Sequence, residues 1–320
     1  MIAMGPNLIT TTSGCRMAKW VYTTATPKKR FRDCRHLDAQ PQTKVLPQNM
    51  TSIAALNDKL QPYDTIYVTF QKLPIFVANI LPLVETDVVI LTGQIYKTPP
   101  LDPDVVHALL EHGHVLHWFC QNLNLHYQYG RNINHDQKVS PFPYGLKQTV
   151  HKHHTRDDEA LASFQQVFLE TWNDTTNDRD VDSIYVGPLH PWPHRVAKGI
   201  PGAMEQSNAT RLLPLEFYRQ MARHRFVLSP NGDRPECYRH YEALGLGVIP
   251  ITELDPLYYF HFQDGPIVYT TSNWDLEHLR HDLGHRLPAQ GALQNMVLEE
   301  YWMEYIERTV GRPLRWGRQV

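Results

Sequence analysis

Residues 225–251 read RFVLSPNGDRPECYRHYEALGLGVIPI, and this one stretch holds a strand, a glycine turn, a helix and a second strand. Phe226, Val227 and Leu228 form a short apolar run that stops at Ser229-Pro230-Asn231-Gly232, where Gly232 can take a positive φ without a steric penalty. Pro235 suits the first turn of a helix and Asp233 is a candidate N-cap. Cys237, Tyr241 and Leu244 follow at i, i+4 and i+7 on one stripe. The helix is expected to end at Gly245 or Gly247, with residues 248–251 (VIPI) resuming as a strand.

A strand, a glycine turn and a helix N-terminus together present unpaired N–H groups and the positive end of a helix dipole, which suits a phosphate or another anion. Arg239 and Glu242 sit three residues apart on one helix face. Measured from Pro235, Glu242 lies roughly 10 Å along the axis at ~1.5 Å per residue, comparable to the span from a diphosphate to a ribose. Arg239 would then meet the phosphates, and the Glu242 carboxylate could accept two hydrogen bonds from the vicinal ribose hydroxyls. A solvated ion pair between the two would account for the same spacing.

The stretch resembles the C-terminal signature of exostosin-type glycosyltransferases (family 47), in which a strand and a P-x-G turn precede an R-x-x-E-A helix and a G-x-V/I-P-V/I strand. Here the matching residues are Pro230 and Gly232, then Arg239, Glu242 and Ala243, then Gly247-Val248-Ile249-Pro250-Ile251. The resemblance covers under a tenth of the chain. It implies a GT-B fold: two Rossmann-like doubly wound α/β domains facing across a cleft, with the nucleotide sugar on the C-terminal one and the acceptor on the N-terminal one. A last helix would cross back to the first domain. Cys237-Tyr238 departs from the family, which more often has small residues before the arginine.

Outward from this unit, strands and helices alternate as in a parallel, doubly wound sheet. Strands are expected at residues 65–70 (TIYVTF), 87–92 (DVVILT), 115–120 (VLHWFC) and 138–142, and helices at 76–83 and at 103–112 with Asp102 as cap. Residues 1–60 read as partly irregular. A helix at 159–172 leads into the acidic, turn-rich residues 173–182, where the domain boundary is expected. The second domain continues with a strand at 183–186, a helix at 213–224, and a strand at 267–270. Residues 293–310 read as one long amphipathic helix. The resulting division is 1–178, 179–292 and 293–320.

In such sheets ligands gather beyond the carboxyl ends of the strands. Gln71, Gly93, Gln94, Gln121, Asn122, Tyr144 and Gly145 stand there in the first domain, with Gln94, Gln121, Asn122 and Tyr144 as the acceptor wall. On the donor side stand Ser229, Asn231, Gly232, Arg239 and Glu242, joined by Thr271 and Ser272 after the strand at 267–270. The resemblance adds Arg195, a basic residue after the first strand of the second domain, against the donor phosphates.

Glycosyl transfer needs stabilisation of the departing diphosphate and, with inversion, a base for the acceptor hydroxyl. Arginines and a helix dipole can meet the first need without a metal. Asp180-Val181-Asp182 and Asp102-Pro103-Asp104 spell D-x-D but fall in the expected linker and before a helix. For the base the nearest candidates are Asp136 and His126, in the loop after Asn122. The expected activity is inverting, metal-independent transfer from a nucleoside-diphosphate sugar, UDP favoured over GDP by the resemblance, to a carbohydrate hydroxyl. A non-catalytic carbohydrate- or nucleotide-binding protein on the same fold is the alternative. A metal hydrolase built on His112, His114 and His117 or on His151, His153 and His154 is a weaker one, because neither run supplies the i,i+4 pair of a helical zinc site.

The 320 residues suffice for two domains, and a net charge of −2 gives no electrostatic reason to expect nucleic acid as a partner. No run approaches the ~20 apolar residues of a membrane span, and no signal-peptide core is evident. A soluble, cytoplasmic protein is therefore expected, or a Golgi lumenal one if the chain is trimmed. Cys120 and Cys237 read as buried free thiols, while Cys15 and Cys34 could pair under oxidising conditions.

Overall fold

The computed structural model describes residues 7–10, 13–22, 44–46, 56, 58–93, 102–123, 138–147, 155–172, 180–187, 212–231, 235–254, 268–269 and 290–317. The chain forms two compact units, one of Ile9–Tyr144 with Glu299–Val320 and one of Met1–Leu8 with Gly145–Leu298. Both are α/β, and each is built on a parallel sheet. The divisions fall after Tyr144 and after Leu298, where the sequence suggested 178 and 292.

In the unit of Ile9–Tyr144 the sheet order is β2-β1-β3-β4-β5-β6. The strands are β1 (Trp20–Tyr22), β2 (Lys44–Val45), β3 (Asp64–Thr69), β4 (Val88–Gly93), β5 (Val115–Cys120) and β6 (Val139–Pro141), and every pairing is parallel. β3 and β4 are buried along their whole length, as expected of strands covered on both faces. The helix expected at 76–83 is instead Leu73–Asn79 followed by a 3₁₀ turn, Leu81–Leu83. Pro74 fits the first helical turn, while Pro82 cannot continue a helix from Asn79 without losing a hydrogen bond. Asp102 caps Pro103–Glu111 as read, its carboxylate accepting from the Asp104 N–H at 3.0 Å.

The single helix expected over 293–310 is two. Gln290–Asn295 ends in a turn whose N–H groups bond three residues back, and Leu298 then pairs antiparallel with Leu8. Helix Glu299–Val310 belongs to the unit of Ile9–Tyr144, with Trp302 and Ile306 fully buried. Its first residue, Glu299, is wholly buried and forms an ion pair with Arg16 of helix Ser13–Met17, Nε donating to Oε1 at 3.0 Å. Beyond that helix, Arg315 lies 3.1 Å from the buried carboxylate of Asp64, which also accepts from Trp20 Nε1 at 2.7 Å. Cys15 is disulfide-bonded, and Cys34 lies outside the described residues.

His117, half-buried on β5, is 2.9 Å from Ser140 Oγ, and burial pushes its imidazole down to about 4. An unfolded chain would protonate the same ring near pH 6.5, so the folded form binds fewer protons between those values. This stability is complete above about pH 6.5 and is lost as pH falls towards 4. Urea unfolding of His117→Phe should lose roughly 2 kcal/mol less than the native protein between pH 7.5 and 4, after allowance for the ring's partial exposure.

The unit of Gly145–Leu298 carries a sheet of order β10-β9-β8-β7, formed by β7 (Asp180–Tyr185), β8 (His224–Ser229), β9 (Ile249–Thr252) and β10 (Val268–Tyr269), again all parallel. Asp180-Val181-Asp182 therefore opens β7 instead of lying in a linker. That is the amino end of the strand, opposite to where parallel sheets take ligands. Helix Thr155–Trp172 packs on helix Pro214–Ala222 through Phe164 and Tyr218, whose rings meet edge-on at 5.4 Å. Phe164 also lies against Gly245, where an added Cβ would stand 2.5 Å from its ring.

Candidate functional site

β8 ends at Ser229, the chain turns, and helix Tyr238–Gly245 carries it back to β9. The helix begins later than the sequence suggested. Pro235 and Glu236 lie in a bend, and the N-cap is Cys237. The reason is local: the Cys237 N–H donates to His240 Nδ1 at 3.2 Å, and the buried Glu236 carboxylate accepts from the Tyr241 hydroxyl. Asp233, the expected cap, lies outside the described residues. Cys237 is not part of the buried stripe. Tyr241 and Leu244 are fully buried, whereas residue Cys237 is only partly so.

Arg239 and Glu242 do project from one helix at the carboxyl ends of β7 and β8. Arg239 Nη1 donates to the carbonyl of Val186, just past β7, at 3.2 Å, and its guanidinium lies 6.0 Å from the Phe217 ring centre. Glu242 Oε1 accepts from the Tyr218 hydroxyl at 2.9 Å, its one hydrogen-bond donor among the described residues. Burial pushes the Glu242 carboxyl up, against the opposing pull of Arg239, the Tyr218 hydrogen bond and the charge of Lys147. The Tyr185 phenol is also raised, by burial first and by Glu242 and Glu216, with Arg239 opposing. A pocket of about 50 Å³ opens beside Glu242, with Leu146, Leu161 and Phe164 as its apolar wall and Lys147 and Tyr218 as its polar one.

Ser229 is buried at the end of β8, its Oγ 3.5 Å from Cys237 Sγ. The Asn231 N–H donates to Glu253 Oε2 at 3.1 Å, so an internal carboxylate already holds the turn amide that the sequence offered to a phosphate. Asn231 Oδ1 is buried and has no hydrogen-bond partner among the described residues. Arg195, Gly232, Thr271 and Ser272 lie outside the described residues.

Of the residues expected at the acceptor wall, Gln121, Asn122 and Tyr144 are all buried. Gln121 Nε2 donates to the Pro143 carbonyl at 2.9 Å, and Asn122 holds a φ of 52°, so both shape the chain at the strand ends. Gly93 closes β4 against the Gln121 side chain, and Gln71 lies half-buried in a 3₁₀ turn after β3. Gln94, Asp136 and His126 are outside the described residues.

The histidines of the first run are engaged separately: His114 Nδ1 with Asp87 at 3.2 Å, His117 with Ser140, and His112 Nδ1 with the His114 N–H at 3.3 Å. His151, His153 and His154 lie outside the described residues. Among the described residues no group of three His, Cys, Asp or Glu side chains could hold a metal ion, and no helix is long and apolar enough to cross a membrane.

Sequence reasoning missed the contact between Cys237 and His240. Sγ lies 3.0 Å from Nδ1, and His240 Nε2 is 2.5 Å from Thr252 Oγ1 on β9. Burial alone would push the thiol up. The His240 charge, its hydrogen bond, the Ser229 hydroxyl and the Arg239 charge together bring it down to about 7. Burial would lower His240, but the charge and hydrogen bond of Cys237, with the charge of Glu236, raise it. The i,i+3 spacing was the only signal in the sequence. Compared with models of known protein families and with curated protein sequences, the chain shows no match to any of them.

Proposed function

We propose that the chain is an exostosin-type glycosyltransferase with a GT-B arrangement. It moves a sugar from a nucleoside-diphosphate sugar, UDP favoured, to a carbohydrate hydroxyl, with inversion and without a metal. The observation that carries this reading is the joint position of Arg239 and Glu242 on one helix at the carboxyl edge of a parallel sheet. In this reading Arg239 neutralises the charge that develops on the leaving diphosphate, where a fixed guanidinium is worth most in a partly dry site. Glu242 keeps Oε2 for the ribose diol while Tyr218 fixes its rotamer. The pocket beside it, with an apolar wall and Lys147 at its edge, suits a small polar group rather than a lipid. Glu253 yields the Asn231 amide when the diphosphate arrives. Asp136 and His126 remain the candidates for the base that takes the acceptor proton.

Thermal unfolding in the presence of UDP, GDP and their sugars tests the assignment. A ligand at a hundred times its Kd adds about 2.7 kcal/mol to the folded state, which reads as a rise of several degrees. UDP and UDP-sugars should raise the midpoint and adenine nucleotides should not. Unchanged midpoints with every nucleotide at millimolar concentration would end the nucleotide-sugar reading.

A further inference from the structure

Cys237 and His240 form a pair that the proposed transfer chemistry does not use. Residue Cys237 is partly exposed at the protein surface, while His240 behind it is wholly buried. Around the two stand Ser229 from the end of β8, Thr252 from the end of β9, and Glu236 and Arg239 on either side in sequence. Thr252 Oγ1 also accepts the Leu254 N–H at 3.2 Å, which fixes the hydroxyl against which His240 Nε2 rests. The thiol stands at the N-cap of an eight-residue helix, where the dipole favours an anion, and Nδ1 lies within hydrogen-bond reach of the sulfur. Asn231, next to the Pro230 carbonyl that the sulfur faces at 3.9 Å, brings to the same strand end an acceptor oxygen with no partner among the described residues. Cys120 makes the contrast: it is buried, and its Sγ donates to the Gln121 carbonyl at 3.5 Å.

We propose that Cys237 is a peroxide-reactive thiol, with His240 as its proton partner. The thiolate attacks one oxygen of hydrogen peroxide, and an S–O bond forms as the O–O bond breaks. The departing hydroxide takes the proton from the His240 imidazolium and leaves as water. The sulfur is thereby oxidised to a sulfenic acid, the peroxide is reduced, and His240 is left neutral. This site does not depend on the nucleotide reading, since it needs no bound donor.

The test is alkylation of the full chain with iodoacetamide pulses from pH 5.5 to 9.5, followed by peptide mapping. Cys237 should react at a rate that is half-maximal near pH 7, and at that pH roughly tenfold faster than an ordinary thiol with pKa ≈ 8.5. His240→Asn should move the half-maximum above pH 8 and slow the reaction at pH 7 by a similar factor. If that variant does not fold, the native profile decides alone. Dimedone applied after hydrogen peroxide should then label Cys237 and leave Cys120 bare. A native half-maximum above pH 8, an inert Cys237, or a peroxide-treated protein without a dimedone adduct at Cys237 would each overturn the assignment.

Discussion

Glu242→Ala is expected to weaken UDP binding about a hundredfold, with little loss of fold stability. A hydrogen bond to a charged group contributes roughly 1.5–3 kcal/mol, and under the proposed function the Glu242 carboxylate would offer Oε2 and part of Oε1 to the ribose diol, for a total near 3 kcal/mol. Glu242→Gln keeps the volume and one acceptor and should lose only part of that. The pH dependence has a definite sign. Burial raises the Glu242 carboxyl, so UDP affinity in the native protein should begin to fall on acidification at a higher pH than an ordinary carboxylate would cause. Isothermal titration of UDP into the three proteins measures all of this. A folded Glu242→Ala protein that binds UDP within twofold of native would take Glu242 out of the donor site.

Arg16→Met carries the largest stability effect, an expected loss of about 3–5 kcal/mol. The substitution removes the Arg16 cation from beside Glu299, which is buried at 0% exposure, and breaking such a pair from one side costs far more than the pair itself contributes. Arg16 also donates to Ser13 Oγ at 2.9 Å, so its removal loosens the first turn of its own helix. The matched replacement Arg16→Met with Glu299→Leu should recover most of the loss, since a well-packed apolar pair of similar volume can be neutral. Urea denaturation of the single and double variants settles it: a loss under 1 kcal/mol for Arg16→Met would mean the pair behaves as a solvated one.

What the sequence disclosed follows from which forces are local. TIYVTF, DVVILT and VLHWFC were readable as strands because β-branched and aromatic runs between turn residues have few other uses, and they became β3, β4 and β5 within a residue at each end. The β8–helix–β9 unit was readable for the same reason. The start of its helix was not, because Pro235 has the right backbone for a first turn but the exchange between Cys237 and His240 fixes the start three residues later. Residues 293–310 misled because Met296 and Val297, buried in the turn, continue the apolar period of the helices on either side. Periodicity reports burial, and it is blind to which unit does the burying. Glu299 was equally hidden. Its partner is 283 residues away, and no pattern in a window of a dozen residues can announce it.

Arg239 and Glu242 were legible as a pair on one helix face, but their partners were not. Val186, Tyr218 and Lys147 come from distant parts of the sequence in the same unit, and no local pattern places them beside the pair.

Helix Glu299–Val310 and the segment after it complete the unit that begins at Ile9, while residues 145–298 form their own sheet in between. On a ribosome the two halves therefore mature out of order. The intervening unit has nearly all of its residues in hand first, whereas the earlier-made unit must wait with Arg16, Asp64 and the seat of Trp302 uncovered until residues 299–316 emerge. Shortening the chain at 298 should thus injure what was translated first and spare what was translated next.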